Sequence, residues 1–484
     1  MKNLKDILQN VSIEKTYGNT DMSIHNIVFD SRKITKKDVF VAQKGLVFNG
    51  HQYIEKAIQL GATAIIYQDA NFDVSKHENI TFIKVADSDL ALATIAANYY
   101  DNPSEKLDLI GITGTNGKTT IATLLFQLFK NAGYKVGLLS TVVVKINETE
   151  FEATHTTPDS ITINKYLSEM VNQGVSHCFM EVSSHGIHQK RTAALHFRGG
   201  VFTNLTHDHL DYHKTFAEYR DTKKKFFDKL PKTAFAIVNI DDKNGTVMFQ
   251  NTKAKKCSYA LKTMADYKTR IIENQLAGLL IQINNKEVWT KLIGDFNAYN
   301  LTAIYAVAVE LGLDKTEVLR LLSELESVSG RFQYIIKNNI TAIVDYAHTP
   351  DALKNVLNTI SEIKNKDISV ITVVGCGGDR DKTKRPKMGF IATQLSDHVI
   401  FTSDNPRTEN PDTIIEEIEK GVNNDNQDKY ISITNRKQAI KTASKLAKKG
   451  DIILIAGKGH ETYQEINGVK YDFDDYKIIS ELLN

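Results

Sequence analysis

The segment Gly111-Ile112-Thr113-Gly114-Thr115-Asn116-Gly117-Lys118-Thr119-Thr120 joins an apolar, strand-like run to an amphipathic, helix-like one. That context suits a phosphate-binding loop. Glycines let backbone N–H groups turn toward phosphate oxygens, and the helix N-terminus adds favourable partial charge. Lys118 can reach β- and γ-phosphates, and the Thr119 hydroxyl can ligate Mg²⁺. Ile112 stands where a strict Walker A pattern has glycine. The alternative is a glycine-rich turn before an ordinary helix. No Asn-Lys-x-Asp element accompanies the loop, which disfavours a switch-type GTPase.

Four further groups carry chemistry. Glu181 ends the apolar run Cys178-Phe-Met-Glu, at the carboxyl end of an expected parallel strand, where sites form. A carboxylate beside a P-loop threonine suits a hard cation; otherwise it caps the next helix. His207, His209 and His213 crowd one polar stretch and read as a zinc site or as plain loop histidines. Phe216, Tyr219, Phe226, Phe227 and Leu230 recur at helical spacing and form one apolar face. Lys223 falls on that face, while Lys224 and Lys225 are expected toward solvent. A lysine in such a stripe keeps more neutral amine, able to react with CO₂, unless it merely snorkels. Asp404-Asn405-Pro406-Arg407 follows an expected strand, His398 to Thr402. Pro406 stiffens the turn, and Arg407 offers a planar fork for a carboxylate. The alternative is a surface turn in which Arg407 pairs with Glu409.

These groups need strand ends to hold them, and the hydrophobic pattern supplies strands. Short strands are expected at Ile24 to Phe29, Val39 to Gln43, Thr63 to Tyr67 and Thr81 to Val85, then a helix from Leu90 to Tyr100. Asp101-Asn102-Pro103-Ser104 breaks the chain. Alternation resumes with strands at Leu107 to Thr113, His177 to Val182, Gly200 to Thr203 and Phe235 to Asn239. Helices are expected at Lys118 to Ala132 and Ala298 to Leu311. It restarts after Arg331, with strands at Thr341 to Val344, Ser369 to Val374, His398 to Thr402 and Asp451 to Ala456. This is an α/β chain of mostly parallel sheets covered by helices. Three domains are expected, at 1–103, 104–331 and 332–484, the central one P-loop and the last Rossmann-like. Asn423 to Asp428 is a polar surface loop.

The 484 residues are ample for several cores. A net charge of +2 supplies no global field toward nucleic acid or anionic lipid. The 3 cysteines are scattered without a Cys-x-x-Cys pair, which suits a reducing compartment. The start, Met1 to Asn10, is too polar for a signal peptide, and no apolar run approaches a membrane span. A cytoplasmic monomer with small-molecule substrates is the expectation.

The phosphate loop resembles that of the Mur ligase family. So, in the family's order, do Asp30-Ser31-Arg32, Thr156-Thr157-Pro158, Glu181-Val-Ser183-Ser-His-Gly186, Thr203-Asn-Leu-Thr-His-Asp-His209-Leu-Asp211 and Gly294-Asp-Phe-Asn297-Ala-Tyr-Asn300. Asp345-Tyr-Ala-His348-Thr-Pro350, Gly375-Cys-Gly-Gly-Asp-Arg380, Asp404-Asn-Pro-Arg407 and Gly457-Lys-Gly-His-Glu461 continue the series to the end of the chain. The resemblance is closest to the tripeptide-forming branch.

It implies three-domain architecture and ATP-dependent addition of meso-2,6-diaminopimelate to the D-glutamate γ-carboxylate of UDP-N-acetylmuramoyl-L-alanyl-D-glutamate, in peptidoglycan synthesis. An acyl phosphate is the implied intermediate. By resemblance, His209 contacts a second Mg²⁺, and Lys223 carries a carbamate that orients magnesium or the phosphates. Asn297 and Asn300 lie near adenine. Arg331, Asp345 and His348 reach ATP across a domain interface. Ser31, His155, Thr156, Thr157, Ser183, Gln189 and Arg191 contact the UDP-linked substrate. Arg380, Gly457 and Glu461 surround the amino acid with Asp404 to Arg407. Gln333 departs from the pattern, where glutamate is common. The nearest alternative is the same reaction with L-lysine. A folate polyglutamate ligase is a broader one, against which Asp404 to Arg407 argues. A non-enzymatic nucleotide-binding module would leave Lys118, Glu181, His209 and Lys223 unexplained together.

Overall fold

Leu109, Ile110 and Ile112 are all fully buried, so the strand Asp108–Thr113 needs cover on both faces. That is the signature of a parallel strand inside a helix-covered sheet. The computed structural model describes residues 1–45, 49–69, 72–206, 212–365 and 367–484. It places this strand between two parallel neighbours, His177–Glu181 and Gly199–Phe202. The parallel order continues outward through Val136–Leu139 on one side. On the other it runs through Phe235–Asn239 and Lys255–Ala260. Leu109 and Ile110 point to opposite faces and seed two cores. Ile110 packs with helices Lys118–Asn131 and Asp295–Glu310, Leu109 with Ser160–Asn172 and Phe216–Asp228.

Antiparallel hairpins finish both edges: Val143–Ile146 with Thr149–Glu152, and the meander Tyr267–Gln275, Gly278–Ile283, Lys286–Thr290. The sequence pattern did not reveal these. Their outer residues are polar and short in period, so they read as loop.

A second sheet, of 6 strands, carries Ile340–Asp345, Ile452–Ala456, Val370–Val374, His398–Phe401 and Tyr430–Ser432 in parallel. Gln333–Lys337 joins it antiparallel at one edge. A third, of 5 strands, lies in the first hundred residues. Its helix Ser88–Tyr99 has Ile161 of the helix Ser160–Asn172 packed against its core, and Asp87 pairs with Lys190. Between them the chain turns at Asp101 and Asn102, both in left-handed backbone. The 3₁₀ turn Asn424–Lys429 occupies most of the expected polar loop. The helix expected from Ala298 starts at Asp295, because Gly294 ends the preceding segment with φ 93°.

The three cysteines are free and buried. Burial pushes the thiols up, Cys257 and Cys376 to about 12, so they are inert as nucleophiles. No helix among the described residues is long and apolar enough to cross a membrane.

Behind the second sheet, Arg436 and Asp475 are both fully buried. Arg436 Nε and Nη2 donate to Asp475 at 2.9 and 2.7 Å, and Nη2 also donates to the Ala456 carbonyl at 3.0 Å. The pair thus pins the carboxyl end of a central strand. Removing one partner leaves a buried charge uncompensated. Asp475→Ala should destabilise the protein by about 3–5 kcal/mol, read as a lowered midpoint in chemical denaturation. A shift under about 1 kcal/mol would show that the pair is not holding the strand end.

Candidate active site

Gly114 has φ 150°, and a Cβ there would sit 1.9 Å from Thr203 Oγ1. The phosphate loop therefore lies directly on the neighbouring strand end. Thr115 and Asn116 donate their N–H groups to Asn204, at 2.8 Å to its carbonyl and 3.0 Å to its side chain. Thr203 Oγ1 donates to the Asn116 carbonyl at 2.6 Å. These bonds hold the loop open in the shape that aims Gly117 to Thr120 at a phosphate. Lys118 Nζ donates to the Gly114 and Thr115 carbonyls at 2.9 and 2.7 Å, so it already arches over the loop. Asn300 Oδ1 packs against Gly117, and Asn300 Nδ2 donates to Asn297 Oδ1 at 3.0 Å. The two asparagines therefore border the phosphate loop as one hydrogen-bonded pair. Ile112 belongs to the strand, and the loop turns only at Gly114.

Glu181 is fully buried at the end of its strand. Its Oε1 accepts from Thr141 N–H at 2.7 Å, while Oε2 has no hydrogen-bond partner among the described residues. An orphaned buried carboxylate oxygen beside a phosphate loop is what a hard cation would satisfy. The described residues contain no cluster of three or more His, Cys, Asp or Glu able to hold a metal alone. His207 and His209 lie outside the described residues. His213 is buried, its ring 5.3 Å from that of Tyr219.

Lys223 is 1 % exposed. Its Nζ donates to the Gly114 carbonyl at 3.0 Å and to Thr113 Oγ1 at 3.4 Å, and lies 4.8 Å from the Tyr219 ring centre. The apolar helix face thus delivers a lysine to the base of the phosphate loop. Lys225 is exposed as expected, but Lys224 is not: it is 8 % exposed. An ion pair one turn along, to Asp228 at 2.7 Å, explains its burial.

Thr157 sits at the rim of the same strand end. Its hydroxyl donates to the Glu181 carbonyl and accepts from Ser183 N–H, both at 2.9 Å. Ser183 caps the short helix Ser184–His188. Arg191 Nη1 donates to the Thr157 carbonyl at 2.6 Å, and its Nη2 to Gln189 Oε1 at 2.6 Å. Thr156 accepts from Thr141 Oγ1 at 3.0 Å. Thr156, Thr157, Ser183, Gln189 and Arg191 therefore form one connected polar wall. His155 is exposed at its end. Ser31 lies apart, buried in a 3₁₀ turn capped by Asp30.

The second sheet meets this centre through Arg331. Its Nη2 donates to Thr119 Oγ1 at 3.2 Å, and its guanidinium lies 4.5 Å from the Tyr346 ring centre. Asp345 accepts from Phe332 N–H at 2.6 Å, and burial pushes its carboxyl up to about 6 despite Arg331 nearby. Gln333 Oε1 accepts from Gly330 N–H at 2.9 Å, so an amide suffices where a carboxylate is common. His348 is exposed.

Asn405 Nδ2 donates to Glu461 Oε2 at 2.7 Å. The Asp404 carboxylate packs on Gly457, and Pro406 is buried beside it. Arg407 has φ 51°, a strained position for a residue with a side chain. Its Nη1 donates to the Gly378 carbonyl at 2.8 Å, and its Nε lies 3.5 Å from Glu465. Glu409 instead takes Arg385 and Lys382, which removes the surface-turn alternative for Arg407. Arg380 is exposed near the turn. Sequence reasoning missed Thr141, Asn204, Tyr346 and Lys458. Asn204, Tyr346 and Lys458 fall inside the quoted motif blocks, but only their contacts distinguish them.

Two doubly wound sheets that bring a phosphate loop, a buried carboxylate and a delivered arginine to facing strand ends define a nucleotide-using enzyme. Three family models match the chain: "Mur ligase family, catalytic domain" over residues 23–100, "Mur ligase middle domain" over 112–308 and "Mur ligase, glutamate ligase domain" over 330–459. The chain belongs to the Mur ligase family and is an ATP-dependent ligase. UDP-N-acetylmuramoyl-L-alanyl-D-glutamate--2,6-diaminopimelate ligase of Cytophaga hutchinsonii is 55% identical over 482 residues, 99% of each chain. A solved structure of an enzyme of that name aligns over 100% of this chain and 98% of its own, with TM-score 0.70 and 31% identity. Folylpolyglutamate synthase of Mycobacterium tuberculosis shares the fold over 76% of this chain and 92% of its own, with TM-score 0.63 and 16% identity.

Gly330 couples the two halves of the site. Its φ is 65°, and a Cβ there would lie 2.0 Å from His460 N. Gly330→Ala should displace both Arg331 and the loop to Glu461. We expect kcat/KM to fall about tenfold or more for both ATP and the amino acid. Steady-state kinetics with either substrate unaffected would refute the coupling.

Proposed function

We propose that this ligase joins meso-2,6-diaminopimelate to the D-glutamate γ-carboxylate of UDP-N-acetylmuramoyl-L-alanyl-D-glutamate, with ATP converted to ADP and phosphate, in peptidoglycan synthesis. The observation that carries the choice of amino acid is Arg407, held in strained backbone in the turn whose Asn405 bonds Glu461 and whose Asp404 packs on Gly457. Diaminopimelate has a carboxylate and an ammonium at its far end, whereas lysine has only the ammonium. The Arg407 fork suits the first, and Glu461 with the Gly457 carbonyl suits the second.

In this reading residues 1–103 hold the UDP end, with Ser31 among the contacts. Residues 104–331 hold ATP, and 332–484 bring the amino acid. The stretches matched by the three family models fall one in each of these segments, except that the last begins at residue 330. The polar wall from His155 and Thr156 to Arg191 orients the sugar peptide so that its γ-carboxylate faces the phosphate loop. That carboxylate attacks the γ-phosphorus, the bond to the bridging oxygen breaks, and ADP leaves. The amine then attacks the acyl phosphate, and the tetrahedral adduct expels phosphate to leave the amide. Gly114 to Thr120 cradle the phosphates, Lys118 and Arg331 balance charge that develops on them, and Asn297 and Asn300 border the nucleotide with Asp345 and His348. Thr119, Glu181, His209 and a carbamate on Lys223 would hold or orient Mg²⁺, whose chemistry here is charge neutralisation. Arg380 borders the amino acid with Asp404 to Arg407. A monomer in the cytoplasm completes the reading, supported by buried free thiols that suit a reducing compartment.

Mass analysis of the product, with ATP, the UDP-linked dipeptide and either amino acid, tests the function. Diaminopimelate should be incorporated in preference to L-lysine. Arg407→Ala should lower kcat/KM for diaminopimelate by about 10²–10³ and narrow its advantage over lysine. A wild-type preference for lysine, or an Arg407→Ala enzyme that spares diaminopimelate turnover, overturns the assignment.

Lys223 is expected to carry carbon dioxide as a carbamate in active enzyme supplied with bicarbonate. Lys223→Ala should lose activity, and short carboxylic acids should restore part of it by supplying the anion. An unmodified Lys223 in fully active protein, seen by mass spectrometry of the intact chain, would refute the modification.

A further inference from the structure

Lys458 is fully buried, with no exposed surface, in the loop that carries Glu461. Its Nζ donates to Asn405 Oδ1 at 3.0 Å and to Glu461 Oε2 at 3.2 Å, and lies 5.4 Å from the Tyr463 ring centre. Asn405 in turn donates its Nδ2 to the same Glu461 oxygen at 2.7 Å, and Asn405 Oδ1 also accepts from Glu465 N–H at 2.9 Å. One ammonium therefore ties the Asp404–Arg407 turn to the Gly457–Glu461 loop. Both carboxylates there, Asp404 and Glu461, are largely buried. Burial first, and Asp404 second, push the Glu461 carboxyl up, while Lys458 and Asn405 pull it down. Arg436 acts on both carboxylates from behind the sheet, and Tyr346 and Tyr463 face Glu461.

We propose that Lys458 is a positioning residue for the amino-acid site: its ammonium pins the Glu461 carboxylate through Oε2 and offsets the neighbouring Asp404. Glu461 then meets the far ammonium of the incoming amino acid as a fixed anion through its other oxygen. This rests on the placement of the amino acid proposed above. One buried ammonium bonded to Glu461, beside the second buried carboxylate of Asp404, leaves the cluster short of one positive charge, and the substrate ammonium supplies it. Without Lys458 the buried Glu461 carboxyl would hold its proton more tightly, and the cation would lose its acceptor. A lysine that only stabilised the fold would leave the binding of the amino acid and its pH dependence untouched.

The test uses the full chain with Lys458→Met, Lys458→Arg, Glu461→Gln and the double variant Lys458→Met/Glu461→Gln. Lys458→Met should raise KM for diaminopimelate about 10²-fold, with KM for ATP and the UDP-linked dipeptide within about threefold of wild type. Its kcat/KM for the amino acid should recover as pH rises, because Glu461 must then lose its proton unaided. The acid limb of that profile thus moves to higher pH. Lys458→Arg should regain most of the loss. The double variant, which removes both charges together and spares the fold an unpaired ion, should bind the amino acid no worse than Glu461→Gln. Equal rises in all three KM values, an unmoved acid limb, or additive losses in the double variant would overturn the proposal. Should the wild-type enzyme prefer another diamino acid, the reading of the substrate falls. The same variants measured with that amino acid still decide the role of Lys458.

Discussion

Arg331 crosses from the segment that opens the second sheet to donate to Thr119 at the mouth of the phosphate loop. Parallel sheets put chemistry at the carboxyl ends of their strands, so a reaction with parts on two sheets needs those ends to face each other. The contact at Arg331 sets that distance. Its guanidinium is backed by the Tyr346 ring, and its Nε is buried without a partner among the described residues. Burial and the charges of Arg331 and Lys458 drive the neighbouring His460 down to about 3, so that ring stays neutral. A second cation there would repel the arginine. Asp345 answers from the other side, anchored to Phe332 N–H. The linker from Val328 to Arg331 is thus a geared joint, and Gly330 lies so close to Gly459 and His460 that nothing larger fits there.

Around this joint the molecule buries charges in compensated sets. Glu181 has one oxygen tied to Thr141 and the other buried without a partner among the described residues. Lys223 rests on the Gly114 carbonyl. Each group costs desolvation free energy that hydrogen bonds only partly offset. At Glu181 the pairing within the protein stays incomplete, as it does at other buried polar atoms such as Asn164 Oδ1 and Arg385 Nε. The polar wall at Thr157 differs, since its bonds close on one another and keep its shape without substrate.

The strands that bear the site were readable as continuous apolar runs, because a parallel strand buried on both faces has no polar alternation to confuse the pattern. The phosphate loop was readable for a related reason, as glycines followed by lysine and threonine leave few other uses. The edge hairpins were not, since half their residues face solvent. Lys224 was assigned to solvent from helical phase alone, which cannot foresee that Asp228 would accompany it inward. Asn204 and Lys458 gain their meaning from partners far away in the chain, and spacing along a sequence carries no record of such contacts. Gln333 shows the converse: a departure from the family pattern whose hydrogen bond is met by an amide as well as by a carboxylate.

The antiparallel hairpins at the two ends of the large sheet bear on how the chain avoids sticking to its copies. A parallel sheet with bare rims offers unpaired backbone groups to any passing strand. Here one rim ends in Thr149–Glu152, where Glu150 faces Lys145 across the hairpin, and the other ends in Lys286–Thr290. The irregular register between Ile271 and Glu273 adds twist to the second rim. Each hairpin also follows directly in the chain after the strand it covers, Val136–Leu139 and Lys255–Ala260 respectively. A chain leaving the ribosome therefore carries the cover for each rim in the next segment to emerge, which shortens the interval in which half-folded copies could aggregate.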